Sequence, residues 1–355
     1  MSKDGFVPKD LLEKLAKEGN EEAKKTLVQM DNIEQKKTKA KNSDDAENSD
    51  DPEISTSVAP PQAKREIYDS ENTEDFKKKL VRKEGDPPTS DENVNFAYDL
   101  CGQTLDYFKN KLGRNSIDNE GMDLISNVHY GIDLNNAMWV PGMKQMAFGD
   151  GDGKLFINFT RSIDVIAHEA AHAVTEFTNE LVYEHQSGAL NEHFSDVIGS
   201  AVKQHVKGQT AETADWLIGD EIVGPEFPGK ALRSMKNPGT ASQFDHQPAH
   251  FNDYKELPLS KDRGGVHLYS GIPNKAFVLV SLEIGTDQAA FLWYIAFQNK
   301  QIIHSNATFE EAFEAIVHAA DMLTSQGKLP QQAVDAVKNA FREVGIPSRI
   351  PESRL

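Results

Sequence analysis

"VIAHEAAHAV", residues 165–174, decides between two interpretations of this chain. It holds His168, Glu169 and His172 in the spacing His-Glu-x-x-His. On an α-helix, positions four apart differ by ~40° around the axis and ~6 Å along it, so the two histidines would project together and hold one zinc ion. The alternative is a buried helix whose histidines are simply hydrogen-bonded. Five positions cannot decide, so the rest of the chain must.

The composition indicates a large acidic protein with a polar segment. The chain has 355 residues and a net charge of −18, and 38% of its residues are hydrophobic. This length suits roughly two domains, while the hydrophobic share lies below the ~45–50% of a wholly globular chain. The acidic balance argues against nucleic acid and anionic membranes as partners.

Cysteine usage and hydropathy argue against a disulfide-linked, a classically secreted or a membrane-spanning protein. Cys101 is the only cysteine, which excludes internal disulfides and a cysteine pair for a structural zinc site. The N-terminus lacks the apolar core of ~7–15 residues found in a secretory signal, and no stretch reaches the ~18 apolar residues of a transmembrane helix. We expect cytoplasmic synthesis without a classical signal peptide, with non-classical secretion left open.

Residues 1–30 are predicted to contain a short helical unit. Within "FVPKDLLEKLAKEGNEEAKKTLV", residues 6–28, Pro8 suits a helix start and Gly19 a helix end. One apolar stripe recurs at helical spacing, formed by Val7, Leu11, Leu12 and Leu15. A unit of this size cannot fold alone, so we expect it to dock on another surface.

Residues 31–64 are predicted to form a flexible linker. They contain a lysine-rich block, an acidic block and a Pro-Pro end, with almost no large apolar side chains. Such a segment gains too little from burial to offset its ordering entropy. An exposed linker is also a ready site for proteolysis.

The rest of the chain is predicted to be α+β, with a β-rich half before a helical half. Residues 65–178 carry strand patterns around a glycine-rich turn and end in the His-Glu-x-x-His helix. Residues 179–355 are mostly helical in pattern. Apolar residues recur at helical spacing in residues 189–203, 272–285, 288–298, 308–323 and 330–342.

A zinc ion bound by two histidines needs a further protein ligand, and a catalytic site keeps one position for water. Glu169 points elsewhere on the same turn, so it is free to take a proton from that water. Glu192 follows His172 by 20 residues, with Asn191 and Asp196 beside it, and is the candidate third ligand. Asn191 and Asp196 are candidate hydrogen-bond partners of the ligand histidines. In isolation, ordinary solvated residues would be the better interpretation.

Longer segments resemble the thermolysin family of zinc metallopeptidases. The likeness runs in family order over about residues 65–347, through "GRNSIDNEGMDLISNVHYGIDLNNAMW", "FGDGDG", "DVIAHEAAHAVTEFTNELVYEHQSGALNEHFSD", "ALRSM", "DRGGVHLYSGIPNKA" and "AVDAVKNAFREVGI". The short N-terminal unit without a signal peptide is most like the protealysin-type branch. The resemblance implies a two-lobed zincin fold with the zinc helix between the lobes, and an inhibitory prosegment at residues 1–30.

The resemblance also implies catalytic roles. The implied zinc ligands are His168, His172 and Glu192. Glu169 would be the general base. His267, aided by Tyr183 and oriented by Asp262, would donate to the oxyanion of the tetrahedral intermediate, where one donor is worth ~2.7–4 kcal/mol.

Substrate binding is implied at further positions. Asn136 and Ala137 resemble the edge that binds a substrate backbone as an added strand, and Arg233 would donate to a substrate carbonyl. The apolar pocket on the leaving-group side would be lined by Phe156, Phe159, Val165, Ile218, Ile222 and Leu232. The resemblance therefore implies a preference for a bulky hydrophobic residue there.

One departure concerns a double calcium site common in secreted family members. Asp164, Asp215 and Asp220 match its acidic ligands, but Lys203 and Leu217 stand where acids are expected. Calcium takes ~6–8 oxygen ligands, and a lysine ammonium brings repulsion instead. We predict that this site is absent and that Lys203 pairs with the remaining acids.

The sequence thus predicts a zinc-dependent neutral endopeptidase made as a self-inhibited zymogen. Its partners would be protein or peptide substrates and its own prosegment, bound in cis. Cleavage between residues 31 and 66 would activate it. Two other classes stay open: an inactive scaffold with the same fold, and a zinc hydrolase acting on a non-peptide substrate.

Overall fold

The computed structural model describes residues 5–44 and 62–348, with only the backbone of residues 37–44. Two helices, α1 (Lys9–Lys17) and α2 (Glu21–Asp44), precede the main body. In the main body, a half built on a mixed sheet precedes a helical half. The α+β, two-lobed prediction is therefore confirmed.

The sheet of the first half has five strands in the order β2-β1-β3-β5-β4. The strands are β1 (Arg65–Asp69), β2 (Lys79–Lys83), β3 (Leu124–Val128), β4 (Ala137–Val140) and β5 (Gln145–Phe148). The β1–β3 and β3–β5 pairs are parallel and the outer pairs antiparallel. β4 is an edge strand, so one side of its backbone stays available for pairing.

The helices follow the predicted pattern closely. They are α3 (Glu92–Tyr107), α4 (Ile163–Glu176), α5 (His185–Lys207), α6 (Asp262–Tyr269), α7 (Gly271–Ile284), α8 (Thr286–Phe297), α9 (Phe309–Ser325) and α10 (Ala333–Glu343). A short antiparallel pair, β6 (Leu217–Ile218) and β7 (Arg233–Ser234), lies between α5 and α6. No helix within the described ranges is both long and apolar enough to cross a bilayer.

Helices α4 and α5 form the buried centre of the molecule. Every residue of α4 from Ile163 to Thr175 is buried, and so is α5 from Ser187 to Gln204. The two helices approach closely at Gly199, where a Cβ would lie 2.8 Å from the carbonyl oxygen of Asp164. This close packing brings polar side chains of both helices into one water-excluded space.

Helix α1 docks on the main body, as the sequence predicts. The apolar side chains of Leu11, Leu12 and Leu15 in α1 are buried, and so is Val7, two residues before the helix. These side chains belong to the same continuous apolar core as α4 and α5. The N-terminal unit is thus stabilised by a surface that it also covers.

The prediction of a flexible linker from residue 31 is wrong for residues 31–44, which continue helix α2. The buried residues of α2 recur at intervals of three and four, at Ala23, Thr26, Met30 and Ile33. The side-chain amide of Asn32 also donates to Glu74 at 3.1 Å. This helix docks although its composition is polar, because one narrow apolar stripe suffices. Residues 45–61 of the predicted linker lie outside the described residues.

Candidate active site

The two histidines and Glu192 converge in the buried space between α4 and α5. His168 Nε2 lies 3.5 Å from Glu192 Oε2, and His172 Nε2 lies 3.3 Å from Glu192 Oε1. Ligand atoms of His168, Glu169 and His172 also lie within 4.8 Å of one another. The α4 helix and the α5 helix therefore bring together the three residues that the sequence selects as metal ligands.

The outer nitrogens of both histidines have defined partners. His168 Nδ1 is 3.0 Å from Asp196 Oδ1, and His172 Nδ1 is 2.8 Å from Asn191 Oδ1. Arg233 in turn donates to both carboxylate oxygens of Asp196, at 2.8 and 2.7 Å. Such contacts fix the ring orientation and direct each Nε2 toward the shared space.

The donor set fits a zinc ion. No conventional hydrogen bond within the described chain reaches His168 Nε2 or Glu192 Oε2, although both are buried. Burial alone would raise the pKa of the Glu192 carboxyl, but the charges of His267 and His172 hold it well below its usual range. Two imidazole nitrogens and an ionised carboxylate are ligands that zinc prefers.

Asp262 holds His267 beside these groups. Its Oδ1 is 2.7 Å from His267 Nδ1, and its Oδ2 accepts from the backbone N–H of His267 at 2.8 Å. Burial would lower the pKa of His267, but the charges of Glu192 and Asp262 raise it to about 10. The local chain reverses through Gly264, where φ is +89° and a Cβ would lie 2.4 Å from the His185 ring. Glycine is therefore required for the turn that presents His267.

Tyr183 links His267 to the metal-ligand candidates. Its hydroxyl donates to Glu192 Oε1 and lies 3.3 Å from His267 Nε2. Burial is nearly complete for all three side chains. The structure therefore places both predicted oxyanion donors on one side of the candidate metal site.

The edge strand β4 orients the side chain of Glu169. Its Oε2 accepts a hydrogen bond from the backbone N–H of Trp139 in β4, at 2.6 Å. The indole Nε1 of Trp139 donates to Glu176, about two helical turns further along α4, at 2.5 Å. These two bonds fix the position of β4 against α4.

The groove along β4 is occupied by the N-terminal segment. The backbone N–H of Phe6 donates to the carbonyl oxygen of Ala137 at 2.9 Å. Both polar backbone groups of Val7 bond to the side chain of Asn136, through its N–H at 2.9 Å and its carbonyl oxygen at 3.2 Å. The segment thus lies on the edge of the sheet as an added strand would.

The side chain of Phe6 is fully buried next to the candidate metal site. Its ring makes an edge contact with the His168 ring, with centroids 5.0 Å apart. The Arg233 guanidinium lies 5.0 Å from the same ring centroid and donates to the carbonyl oxygen of Phe6 at 3.4 Å. On another side, a Cβ at Gly219 would lie 3.0 Å from the Phe6 ring and 3.2 Å from Leu232.

Lys203 occupies the position that departs from the calcium-site pattern. Its ammonium lies 3.4 Å from Asp164 Oδ2 and 4.0 Å from Asp215 Oδ1, and it donates to Asp220. It also donates to the carbonyl oxygen of Leu217 at 3.0 Å. The predicted pairing of Lys203 with the remaining acids is confirmed.

Sequence reasoning missed several partners. Asn274 donates to Asp196 at 2.9 Å, and Ser195 Oγ lies 3.0 Å from His172 Nδ1. Trp139 and the pair Gly5–Phe6 were also missed as site residues. The position of Phe6 beside the apolar stripe of the N-terminal unit indicates burial, but it does not indicate a place in the site.

Two family descriptions match consecutive parts of the chain. "Thermolysin metallopeptidase, catalytic domain" matches residues 18–176, and "Thermolysin metallopeptidase, alpha-helical domain" matches residues 179–346. The two-lobed fold around a buried His-Glu-x-x-His helix therefore defines a metallopeptidase. The chain belongs to the thermolysin family.

Similarity to individual proteins extends over nearly the whole chain. Protease PrtS from Photorhabdus sp. (strain Az29) is 38% identical over 353 residues, covering 96% of this chain and 92% of that protein. The extracellular metalloprotease of Pectobacterium carotovorum subsp. carotovorum is 44% identical, covering 81% of this chain and 82% of that protein. The solved precursor of protealysin, a metalloproteinase from Serratia proteamaculans, superposes with a TM-score of 0.81 at 37% identity, covering 97% of this chain and 99% of that chain. Within the family, the chain therefore falls in the protealysin-like branch.

Proposed function

We propose that the protein is a zinc-dependent neutral endopeptidase made as a self-inhibited zymogen. It cleaves peptide bonds that have a bulky hydrophobic residue on the leaving-group side. The observation that carries this proposal is the Phe6–Val7 segment, which lies in the groove between the edge strand and the His168–His172–Glu192 cluster. An empty groove would support a peptidase in general, whereas an occupied one supports a peptidase blocked by its own chain.

His168, His172 and Glu192 would hold the zinc ion, with His168 and His172 oriented by Asp196 and Asn191. The bound zinc supplies a Lewis acid, which makes a water molecule more acidic and polarises the substrate carbonyl. The metal requirement follows from the family and from the donor set.

Glu169 would act as the general base. It lies one residue after His168 on α4 and is aimed by the backbone N–H of Trp139. From there the carboxylate takes a proton from the attacking water and passes it to the leaving nitrogen. The bond from Trp139 keeps one carboxylate oxygen fixed while the proton moves.

His267 and Tyr183 would donate to the oxyanion that forms at the substrate carbonyl. Asp262 keeps His267 protonated and oriented. In a site from which water is excluded, one such donor is worth ~2.7–4 kcal/mol of transition-state stabilisation.

Asn136, Ala137 and Arg233 would bind the substrate backbone, as they bind the backbone of Phe6 and Val7 here. The apolar space filled by Phe6 would then receive the side chain on the leaving-group side. Since a fully buried aromatic ring fits this space, the preferred substrates have Phe or Leu there.

Inhibition would come from the same contacts. Residues 1–30 act in cis because α1 and α2 hold Phe6 and Val7 in the groove. The peptidase lobes would be residues 65–178 and 179–355. As the Pectobacterium relative is named an extracellular metalloprotease, we propose that this enzyme also acts outside the cell.

The test is hydrolysis of casein by the activated protein with and without a zinc chelator. We expect activity in the wild type and loss of activity in Glu169→Gln, by at least ~10³-fold, with zinc content unchanged by elemental analysis. A wild type that binds zinc but cleaves no peptide would favour the inactive scaffold. Cleavage sites without an enrichment of bulky apolar residues on the leaving-group side would contradict the specificity.

A further inference from the structure

We propose that the chain hydrolyses its own Gly5–Phe6 bond, so that the precursor trims its N-terminus inside the closed cleft. This inference rests on the proposed function. It concerns a bond in the inhibitory segment itself, far along the chain from the region whose cleavage would release that segment.

The first observation is the direction of the segment. Its backbone makes the contacts that a substrate would make on the leaving-group side, in order along the chain: Phe6 N–H to Ala137, Phe6 carbonyl to Arg233, and Val7 to Asn136. A blocking segment that ran the opposite way would present its carbonyl and N–H groups in the reverse order. The Phe6 side chain also fills the apolar space beside His168.

The second observation concerns the bond just before Phe6. The carbonyl oxygen of Gly5 accepts a hydrogen bond from His267 Nε2 at 3.2 Å, and the N–H of Phe6 donates to Ala137 at 2.9 Å. One peptide bond is therefore held at both of its ends. Its oxygen is held by the group proposed to donate to the oxyanion, and its nitrogen by the substrate-binding edge.

The third observation is that only glycine fits at position 5. Its φ is +87°, and a Cβ would lie 2.7 Å from the carbonyl oxygen of Ala137 and 2.8 Å from Oδ1 of Asn136. A side chain at this position would move the Gly5–Phe6 peptide bond away from His267 or away from the edge strand. Gly5 is thus a positioning residue for its own cleavage.

The reaction balances with water as the only co-reactant. A water oxygen adds to the carbonyl carbon of Gly5 while Glu169 takes a proton from that water. The proton passes to the nitrogen of Phe6, and the carbon–nitrogen bond breaks. The products are a chain that begins with the amine of Phe6 and a released peptide that ends with the carboxylate of Gly5.

Trimming would leave the cleft blocked. Phe6 and Val7, which contact the groove, belong to the longer product. Helices α1 and α2 hold that product in place. The trimmed form is therefore expected to remain inactive on other substrates. It differs from the full chain only in residues 1–5.

The test follows the intact mass of the purified zinc-loaded full chain over time at several protein concentrations. We expect loss of residues 1–5 with a rate that does not depend on concentration, as an event within one molecule requires. Glu169→Gln should keep its full N-terminus. Phe6→Leu should be trimmed within threefold of the wild-type rate, because leucine also fills an apolar pocket, whereas Gly5→Ala should be trimmed at least tenfold more slowly.

A second readout needs no turnover. In the Glu169→Gln background, hydrogen exchange of the Phe6 and Val7 amides should be at least tenfold faster with Gly5→Ala than with Phe6→Leu. Equal protection in both variants would overturn the positioning role of Gly5.

Casein hydrolysis by separately activated protein keeps the two proposals apart. An untrimmed N-terminus in protein that becomes active on casein would overturn the Gly5–Phe6 inference and leave the proposed function intact. An untrimmed N-terminus with no activity on any peptide would overturn both. Trimming whose rate rises in proportion to protein concentration would overturn the intramolecular step.

Discussion

Lys203 illustrates how one residue changes the electrostatics of a whole site. Its side chain is 3% exposed and faces Asp164, which is fully buried. Burial would lower the pKa of the lysine, but the charge of Asp164 raises it. Burial would likewise raise the pKa of Asp164, but the charge of Lys203 lowers it. An ammonium group thus offsets the charge of the acids at this locus, and we predict that the protein binds no calcium there.

We therefore predict that Lys203→Met is strongly destabilising. The substitution leaves the Asp164 carboxylate buried without its counter-charge, which costs about 3–5 kcal/mol. Urea denaturation would measure the change in the free energy of unfolding. The matched control is Lys207→Met on the same helix, where Lys207 and Glu221 are each 34% exposed at 2.7 Å and the loss is about 0–1 kcal/mol. Equal losses in both variants would contradict the argument, as would a rise of many degrees in the wild-type Tm with added calcium.

For single residues, spacing alone predicted how His168 and His172 project, because a helix fixes that geometry. The choice of Glu192, His267 and Asp262 depended on resemblance, since they come from two other places in the chain, α5 and α6. Gly5 and Phe6 were not predicted as site residues. Nothing local distinguishes a buried phenylalanine in a groove from one in a core, and the φ of Gly5 depends on contacts with a distant strand.

His129 connects three secondary-structure elements through two carboxylates. It follows β3, and its ring nitrogens lie 2.8 Å from Asp150, after β5, and 2.9 Å from Asp91, which caps α3. The hydrogen bond that the His129 ring donates to Asp150 is the main reason that the pKa of His129 rises to about 9. The charged form is therefore favoured in the folded state.

We predict that this interaction makes stability depend on pH. Because the folded pKa of His129 exceeds its unfolded value of ~6.5, the stabilisation is complete below pH ~6.5 and is lost as the pH rises through about 9. The measurement is the difference in Tm between wild type and His129→Gln across this range. We expect the largest difference near pH 6 and a much smaller one near pH 10. A difference that stays constant would show that charge plays no part.

Helix α2 shows why the linker prediction failed. Composition in this region is polar, and composition decides disorder only when no apolar stripe is present. Here the stripe is one residue wide per turn, ending at Met30 and Ile33. The free energy gained by burying this stripe can be judged only when the surface on which it packs is known.

We predict that Ile33→Ala loosens the inhibitory unit. Ile33 is 1% exposed, and truncation of such a side chain costs about 2–5 kcal/mol. Since each 1.4 kcal/mol is tenfold in a population, the uncleaved precursor should hydrolyse a small peptide at least ~10-fold faster. Val28→Ala, on the same helix at 61% exposure, is the control and should change nothing. If both variants keep the wild-type rate, α2 plays no part in closing the cleft.

For the whole molecule, fold class and the order of its two halves were predictable from periodicity, because strands and helices carry different repeats. The edge position of β4 was not predictable from periodicity, since strand order depends on which strands pair in space. The same holds for the site, which assembles α4, α5, the loop before His267 and the N-terminal segment. When residues from distant parts of the chain come together in this way, a single sequence indicates it only through its resemblance to a family.

We predict that a cut in the chain does not by itself release the inhibitory unit. Phe6, Val7 and the stripes of α1 and α2 contact the main body through residues that all precede residue 37. A cut engineered within residues 45–61 should therefore leave a complex rather than a free enzyme. In Glu169→Gln, the fragment should co-elute with the body in size-exclusion chromatography at micromolar concentration.

In the wild type, activity should appear on dilution, because the cut converts an intramolecular contact into a concentration-dependent one. The uncut protein, diluted in parallel, should stay inactive. Full activity immediately after the cut, at any concentration, would mean that the covalent tether is what keeps the cleft closed.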